Sequence, residues 1–287
     1  MRSYLDCGFS VVGFTMRRKN MNREFEPFWG NVHLGEAENE NPLRRIIAVS
    51  SSTLKVFKSR KKLAGSDVIV ARNLDMLALA TFARFMVRPR PALIYECLDI
   101  HGLMTQRGFK GWIFRFAERR LLGQAAGLIV SSPSFVTKYV RPLQGWTGPV
   151  TLVENKVWLD EGSLPRPEPS SAKPRSAWSS EHPMKVGWVG TLRCARSLAL
   201  LAEVAERLGS KVQLNFHGVV HEHALPDFDS VLSRHKNIVW HGPYDYPNGL
   251  LKIYNNCDLV WSQDLWQWGT NSSWLLPNRI YEASYFG

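Results

Sequence analysis

The sequence is poor in cysteine, with four in 287 residues, and this scarcity argues against both disulfide-stabilised and zinc-stabilised proteins. Cys7, Cys97, Cys194 and Cys257 are widely spaced and form no Cys-x-x-Cys pair, so neither a disulfide framework nor a thiolate zinc site is predicted. The eight histidines lack metal-ligand spacing, so we expect no metal. No apolar run approaches the ~18 residues of a membrane span. A reducing, cytoplasmic location fits these absences.

Acidic residues are scarce in the first half of the chain. Residues 1–150 hold 23 Lys and Arg against 11 Asp and Glu, a net +12, and residues 151–287 hold 13 against 14, a net −1, which together give the total of +11. Such asymmetry indicates an anionic partner, either nucleic acid or an anionic membrane surface, unless it is only a solvated basic face. Because no nucleic-acid recognition motif accompanies the charge, we expect no nucleic-acid partner.

Short apolar runs alternate with longer segments of helical period, which is typical of βαβ units and a parallel sheet. Helices are predicted at 74–86, 108–124, 197–209, 226–235 and 248–256. The predicted strands of the first half are FSVVGFTM (9–16), DVIVA (67–71), ALIYECLD (92–99), GLIVSS (127–132) and VTLVEN (150–155). Those of the second half are KVGWVG (185–190), VQLNFHG (212–218), NIVWHG (237–242) and DLVWS (258–262).

A proline- and serine-rich stretch separates two such blocks. Residues 160–183 mix prolines, serines and charges and cannot bury apolar area, so they are predicted to be a linker. The predicted fold class is α/β, with two doubly wound, Rossmann-like domains at 1–159 and 184–287. Ligands of such sheets bind beyond the carboxyl ends of the strands, so a cleft between the two sheets is the expected site.

The segment VGWVGTLRCARSL, residues 186–198, suits a diphosphate. Its strand ends at Gly190, and Arg193 and Arg196 lie where the next helix begins, so backbone N–H groups and two guanidinium groups come together. Near the end of the chain, Glu282 lies in the first turns of another helix and is placed to accept hydrogen bonds from ribose hydroxyls. Each assignment has an alternative. Arg193 and Arg196 would then be solvated arginines in a loop, and the Glu282 carboxylate would only complement a helix dipole.

The segments VGTLRCAR, FHG, NIVWHGPY, IYNNCDLVWS and LPNRIYE resemble the nucleotide-binding domain of GT-B glycosyltransferases, specifically the retaining family-4 type that builds bacterial exopolysaccharides. The resemblance covers nearly the whole chain. It implies that Arg196 stands where a lysine usually binds the donor diphosphate, that Thr191 stands at the usual arginine, and that Arg193 substitutes for it. Glu282 matches the ribose-binding acid, and Trp274 stands where the family has another acid, separated from the first by seven residues.

Further donor-side and acceptor-side residues follow from the same resemblance. On the donor side these are Gly190, Tyr244, Asn271 and Leu275, with the backbone amides of residues 271–275 available for the sugar or the β-phosphate. On the acceptor side, Asp99 matches the cleft acid or histidine of the family, and its neighbours in the expected site are His101, Asn73 and Asp75. Asn155 matches an asparagine at the interdomain hinge.

The family needs no bound metal or other cofactor. The Asp-Phe-Asp at 227–229 is accordingly interpreted as the start of a helix and not as a metal motif. The resemblance also implies that a first strand with its glycine-rich loop and some C-terminal elements are missing from the chain.

Two basic segments of the first half, TLKVFKSRKKLAG (53–65) and RGFKGWIFRFAERRLL (107–122), set large aromatic residues beside positive charge. This composition suits a helix lying on an anionic membrane, although an ordinary amphipathic helix over a sheet is an equal alternative. The resemblance, together with these segments, predicts transfer of a sugar from a nucleotide diphosphate sugar, UDP-linked, to a lipid-linked oligosaccharide acceptor at the inner membrane face. The alternatives are a UDP-sugar epimerase of the same architecture, a nucleic-acid-binding protein and an inactive remnant.

Overall fold

The computed structural model describes residues 1–17, 26–36, 51–157 and 178–286. Its strands are β1 (Val12–Arg17), β2 (Gly30–Glu36), β3 (Val68–Arg72), β4 (Ala92–Cys97), β5 (Gly127–Val130), β6 (Val150–Leu152), β7 (Met184–Val189), β8 (Val212–His217), β9 (Ile238–Trp240) and β10 (Leu259–Val260). Its α-helices are α1 (Arg2–Asp6), α2 (Leu74–Met86), α3 (Gly102–Thr105), α4 (Phe109–Leu122), α5 (Pro133–Phe135), α6 (Arg141–Gln144), α7 (Ala195–Leu208), α8 (Phe228–Arg234), α9 (Leu250–Tyr254), α10 (Asn271–Trp274) and α11 (Asn278–Phe286). Residues 51–58 are also helical, and a π-helical turn spans Val136–Val140.

The chain divides into two compact units. The first comprises Met1–Val130 and Val136–Leu152, and the second comprises Ser131–Phe135 and Val153–Gly287. Among the described residues, no helix is both long enough and apolar enough to cross a bilayer.

The first unit is built on a parallel sheet with strand order β3-β4-β5-β6. Alternate residues of β4 are buried, namely Leu93, Tyr95 and Cys97, which is the two-residue period of a strand packed on a core. A second, two-stranded parallel sheet pairs β1 with β2. Leu34 of β2 is buried and belongs to an apolar cluster with Leu79 of α2.

A buried carboxyl group joins two segments of the first unit. Glu118 on α4 is 1% exposed and accepts hydrogen bonds from the Tyr95 hydroxyl (3.0 Å), from the Tyr139 hydroxyl and from the Gln144 amide (2.6 Å). Burial raises the pKa of Glu118 above its usual value, although the tyrosine hydrogen bonds oppose the shift.

The second unit has a parallel sheet with strand order β10-β7-β8-β9. The chain begins at β7, proceeds outward to β8 and β9, and then returns to the other side of β7 with β10. Strand order therefore reverses between β7 and β10, and this switch point is where loops diverge and leave room for a ligand. The core below it packs Trp188 edge-on against Phe216, with ring centroids 5.1 Å apart.

The α/β prediction is confirmed, and the differences are local. Strand β2 was not predicted, and it pairs with β1 in a sheet separate from β3–β6. Asp227 precedes α8 as predicted, but its side chain makes no capping hydrogen bond. Residues 160–177 of the predicted linker lie outside the described residues.

Candidate functional site

A pair of glycines shapes the first loop of the second sheet. Gly190, directly after β7, has a φ of 110° and donates its N–H to the His217 carbonyl at 2.9 Å. Gly218, directly after β8, has a φ of 132°, and a Cβ built there would lie 1.7 Å from the Gly190 carbonyl oxygen. Only glycine fits such an approach, so the two strand ends meet without side-chain bulk, and exposed Thr191 begins an open loop.

The predicted arginines lie at the start of α7. The Cys194 thiol caps this helix by accepting from the Ser197 N–H at 3.3 Å, and Arg193 and Arg196 flank the cap. Arg193 Nη2 donates to Asp264 Oδ2 at 3.3 Å, which joins the loop after β7 to the loop after β10. Because β7 and β10 are neighbours at the switch point, this contact lies where a ligand is expected.

Arg196 makes a different contact. Its guanidinium carbon lies 5.3 Å from the ring centroid of Trp268, a cation–π distance. Trp268 belongs to the same loop as Asp264. The two arginines are therefore both held by the segment after β10, one through a carboxylate and one through an indole ring.

Glu282 is buried on α11, with 6% of its surface exposed. Its Oε2 accepts from the Tyr254 hydroxyl at 2.7 Å. Burial and the Glu282 carboxylate both raise the pKa of Tyr254, and the same two causes raise the pKa of Tyr244 to about 12. Both tyrosines thus stay protonated beside the carboxylate. Oε1 makes no hydrogen bond to the described part of the chain, which leaves it able to accept one from a ligand.

Arg279, which the sequence analysis did not assign, connects these groups. Its guanidinium is attracted by the carboxylates of Asp264 and Glu282 and repelled by Arg193, while burial lowers its pKa from the usual value. Its Nη1 donates to the Trp261 carbonyl at 3.3 Å. Three residues before Glu282 on the same helix, Arg279 lies on the same face, a spacing visible in PNRIYE. Arg279 therefore lies within electrostatic reach of both Arg193 and Glu282.

The predicted sugar-side residues form a short helix. Asn271 is buried and begins α10, and Trp274 ends it. The Trp274 carbonyl accepts a hydrogen bond from Ser132 Oγ. The amides of Ser273 and Leu275 donate to Thr270 and Asn271 carbonyls at 3.0 and 2.9 Å, so these two N–H groups are used within the turn.

Two histidines that the sequence analysis did not single out lie at the carboxyl ends of neighbouring strands: His217 is the last residue of β8, and His241 directly follows β9. The rings of His217 and His241 stack with centroids 4.4 Å apart and an interplanar angle of 7°. His241 Nε2 is 2.9 Å from Asn215 Oδ1. Burial, with a smaller contribution from His241, lowers the pKa of His217 to about 4, so this ring is neutral at physiological pH.

The acceptor-side predictions lie together at one edge of the first unit's sheet. Asn73 follows β3, and Asp99 and His101 follow β4; these strands are parallel neighbours, so the residues share the carboxyl edge. Asn73 has a φ of 70° with a ψ of 164°, a strained conformation of the kind that concentrates at functional sites. Asp75 lies in the first turn of α2, Asp99 is exposed, and His101 Nδ1 caps α3 by accepting from the Leu103 N–H at 3.2 Å.

Asn155 belongs to the second unit, where its side-chain amide donates to Asn278 Oδ1 at 3.0 Å. A small pocket next to this contact is lined by Lys156, Val157, Tyr246, Asn278, Tyr281 and Glu282. A carboxylate and an ammonium group therefore line the same pocket.

Helix α4 carries an exposed aromatic stripe on the first unit. Phe109, Trp112 and Phe116 are 73%, 54% and 44% exposed, and their rings stack in sequence with centroids 5.9 and 5.4 Å apart. The Arg120 guanidinium lies 5.2 Å from the Phe116 ring centroid. The opposite face of the helix is buried at Glu118, so the stripe is the solvent side of a well-packed helix.

Comparison with known proteins decides the fold. No family model matches the sequence. The chain is 38% identical over 256 residues to the succinoglycan biosynthesis protein ExoL of Rhizobium meliloti (strain 1021), covering 89% of this chain and 63% of that protein. The structure matches Anabaena Alr3699/HepE in complex with UDP and glucose with a TM-score of 0.54 at 16% identity, covering 81% of this chain and 60% of that one. The chain has the GT-B glycosyltransferase fold. This GT-B chain also matches WaaG, a glycosyltransferase involved in lipopolysaccharide biosynthesis, with a TM-score of 0.53 at 13% identity over 90% of this chain and 68% of that one.

The predicted GT-B fold is thus confirmed, and the chain is similar in sequence to a succinoglycan biosynthesis protein. The GT-B chain spans 63% of the length of its succinoglycan relative.

Proposed function

We propose that this protein transfers a sugar from a nucleotide diphosphate sugar, UDP-linked, to a lipid-linked oligosaccharide acceptor in exopolysaccharide synthesis. The observation that carries the proposal is the set of charged groups at the β7/β10 switch point. Arg193 pairs there with the buried carboxylate of Asp264, and the Arg279 guanidinium is attracted by both Asp264 and Glu282. The relation to a succinoglycan biosynthesis protein supports the acceptor class, and a structural neighbour crystallised with UDP and glucose supports the donor.

Each of these side chains has a role in the proposed transfer. Arg193 and Arg196 neutralise the charge that develops on the leaving diphosphate, which is the largest stabilising effect expected in such a reaction. Arg279 adds positive charge from a half-buried position. Because solvent screens a charge there less than at the surface, it interacts more strongly with the diphosphate. The Oε1 atom of Glu282 accepts a hydrogen bond from a ribose hydroxyl, because Oε2 already accepts one from the Tyr254 hydroxyl.

The acceptor-side residues of the first unit keep their proposed roles. Asp99 is exposed at a strand end, where a carboxylate can accept a hydrogen bond from an incoming hydroxyl. The strained backbone of Asn73 holds its loop in one conformation beside it. A retaining outcome, with the donor phosphate assisting the acceptor hydroxyl, is part of the proposal, and NMR of the first-formed product anomer tests it.

The aromatic stripe of α4 is proposed to rest on an anionic membrane, where a lipid-linked acceptor resides. Burying Phe109, Trp112 and Phe116 in the interface contributes on the order of 1.5–3 kcal/mol each, and nearby basic residues add about 1 kcal/mol apiece. Sedimentation with vesicles of anionic lipid tests this surface. The double variant Trp112→Ala/Phe116→Ala should lose most of the bound fraction, whereas Phe82→Ala/Phe85→Ala, on the exposed side of α2, should retain it. Equal binding by both variants would reject the membrane contact.

Calorimetric titration with UDP tests the donor site. Replacing Arg196 by alanine should weaken UDP binding by about tenfold or more, as expected for loss of a charge-assisted contact. Arg207→Ala provides the matched control, because Arg207 lies at the far end of the same helix and pairs with Glu203. Equal UDP affinity in the Arg196→Ala and Arg207→Ala variants would reject the site.

Incubation with UDP-glucose alone tests the epimerase alternative. An epimerase would yield an isomer of the UDP-sugar without any acceptor.

A further inference from the structure

Two tryptophans are displayed by a firmly held loop in the second unit. This tryptophan loop, residues 264–270, leaves Trp266 47% and Trp268 54% exposed. Its backbone is nevertheless fixed by side-chain acceptors: Trp266 N–H donates to Asp264 Oδ1 (2.9 Å), Gln267 N–H to Ser272 Oγ (2.9 Å) and Gly269 N–H to Ser273 Oγ (2.8 Å). Asp264 and Ser272 are themselves buried. The indoles are therefore held in the solvent by an ordered loop.

Such exposure costs stability and is not required by the local packing. Burying a large apolar side chain contributes about 1.5–3 kcal/mol, which a solvent-facing indole forgoes in part. Trp240, another exposed tryptophan of this unit, shows the ordinary alternative. It packs edge-on against Phe228 at 5.7 Å and donates its indole N–H to the Gly218 carbonyl at 3.0 Å. An ordered loop that presents two aromatic side chains is typical of a ligand-contact surface.

The tryptophan loop adjoins the residues assigned to the diphosphate. Asp264 binds Arg193, and Trp268 lies against Arg196. Trp266 is two residues from Trp268, so their Cα atoms are at most ~7 Å apart. In a nucleotide sugar, one oxygen joins the pyranose ring to the β-phosphate. A diphosphate held by these arginines therefore brings a sugar ring within reach of the loop.

We propose that the tryptophan loop is a stacking surface for a pyranose ring, with Trp266 contacting the ring and Trp268 positioning Arg196. One face of a pyranose presents aliphatic C–H groups, which pack on the electron-rich face of an indole, while the hydroxyls stay in water. The inference rests on the proposed nucleotide-sugar site and adds the element that recognises the sugar. The ring belongs either to the donor or to the terminal sugar of the acceptor, and the two sources respond differently in the test below.

The test compares ligands with and without a sugar. UDP, UDP-glucose, UDP-galactose and methyl β-D-glucopyranoside are titrated calorimetrically into the full chain and its variants. Trp266→Ala should leave UDP affinity unchanged and weaken binding of a UDP-sugar by about tenfold, equivalent to one aromatic stacking contact; Trp266→Phe should restore much of it. Loss confined to the free glucoside assigns the ring to the acceptor. Trp268→Ala should weaken UDP and UDP-sugars together, because it acts through Arg196.

Trp178→Ala is the control, since Trp178 is exposed in the same unit but outside the loop. Thermal melting checks that each variant is folded. If Trp266→Ala binds every sugar-bearing probe as the unaltered chain does, the inference is overturned, while UDP binding leaves the proposed function standing. An equal loss for UDP and UDP-sugars in Trp266→Ala also overturns it, because the indole would then contact the nucleotide. Failure of the unaltered chain to bind UDP overturns the proposed function and this inference together.

Discussion

Replacing Asp264 by asparagine removes one charge at the point where the two loops of the second unit meet. The carboxylate accepts from Arg193 Nη2 at 3.3 Å, from the Trp266 N–H at 2.9 Å and from Ser272 Oγ at 3.3 Å, and it is 8% exposed. Asparagine keeps the shape and one acceptor oxygen, which can retain the Trp266 contact, but its NH₂ group then faces the donor of Arg193.

The expected cost follows from these contacts. A hydrogen bond to a charged group contributes about 1.5–3 kcal/mol, and the Arg193 side chain is 44% exposed, so solvent screening favours the low end. The Arg279 guanidinium also loses an attractive neighbour. We expect a loss of about 2 kcal/mol in the free energy of unfolding, or a fall of about 4–8 °C in the Tm of this unit.

Scanning calorimetry measures the effect, with Asp229→Asn as the control. Asp229 is exposed in the first turn of α8, so its substitution should change stability by no more than about 0.5 kcal/mol. The Asp264→Asn variant should also bind UDP more weakly, since Arg193 and the tryptophan loop lose their shared anchor. Melting of Asp264→Asn within 1 °C of the control, with unchanged UDP affinity, would refute the reasoning.

Three further predictions concern buried and strained groups. Because its folded pKa is raised, Glu118 contributes stability that is full below its ordinary pKa of 4.5 and declines as pH rises, so the Tm cost of Glu118→Gln should shrink between pH 4 and 7 in thermal melts. The pH dependence of stability at His217 has the opposite sign. The pKa of His217 is lowered to about 4, so the stability that it contributes above pH 6.5 is lost as the pH falls toward 4. His217→Asn should therefore reduce the fall in Tm between pH 6.5 and 4, whereas the exposed control His223→Asn should leave it unchanged. Gly218→Ala should destabilise by about 3 kcal/mol in urea unfolding, because its Cβ would overlap the Gly190 carbonyl, whereas Gly242→Ala, which has a positive φ but open space, should cost about 1 kcal/mol.

Much of the fold could be predicted because its periodicity is local. The apolar spacing of residues 74–86 predicted a helix with the bounds that α2 has, Leu74–Met86. Strand β2, by contrast, reads GNVHLGE: it has two glycines and no β-branched run, and only Leu34 is fully buried. Its pairing with β1 is a tertiary contact for which the local sequence gives no signal.

The candidate site divides in the same way. Arg193, Arg196 and Glu282 could be proposed from the loop and helix starts in which they lie. Asp264 could not, because its contact with Arg193 depends on β10 returning beside β7, and strand order is not written in either segment. Arg279 was within reach, since a residue three positions before Glu282 shares its helical face.

The double engagement of Asp264 constrains how this chain can diverge. A substitution there disturbs the Arg193 guanidinium and the backbone of the tryptophan loop at once, whereas a substitution at position 266 alters only what that loop displays. If the proposed site is right, descendants that change sugar preference while keeping their nucleotide should therefore vary at Trp266 first and preserve Asp264 longest.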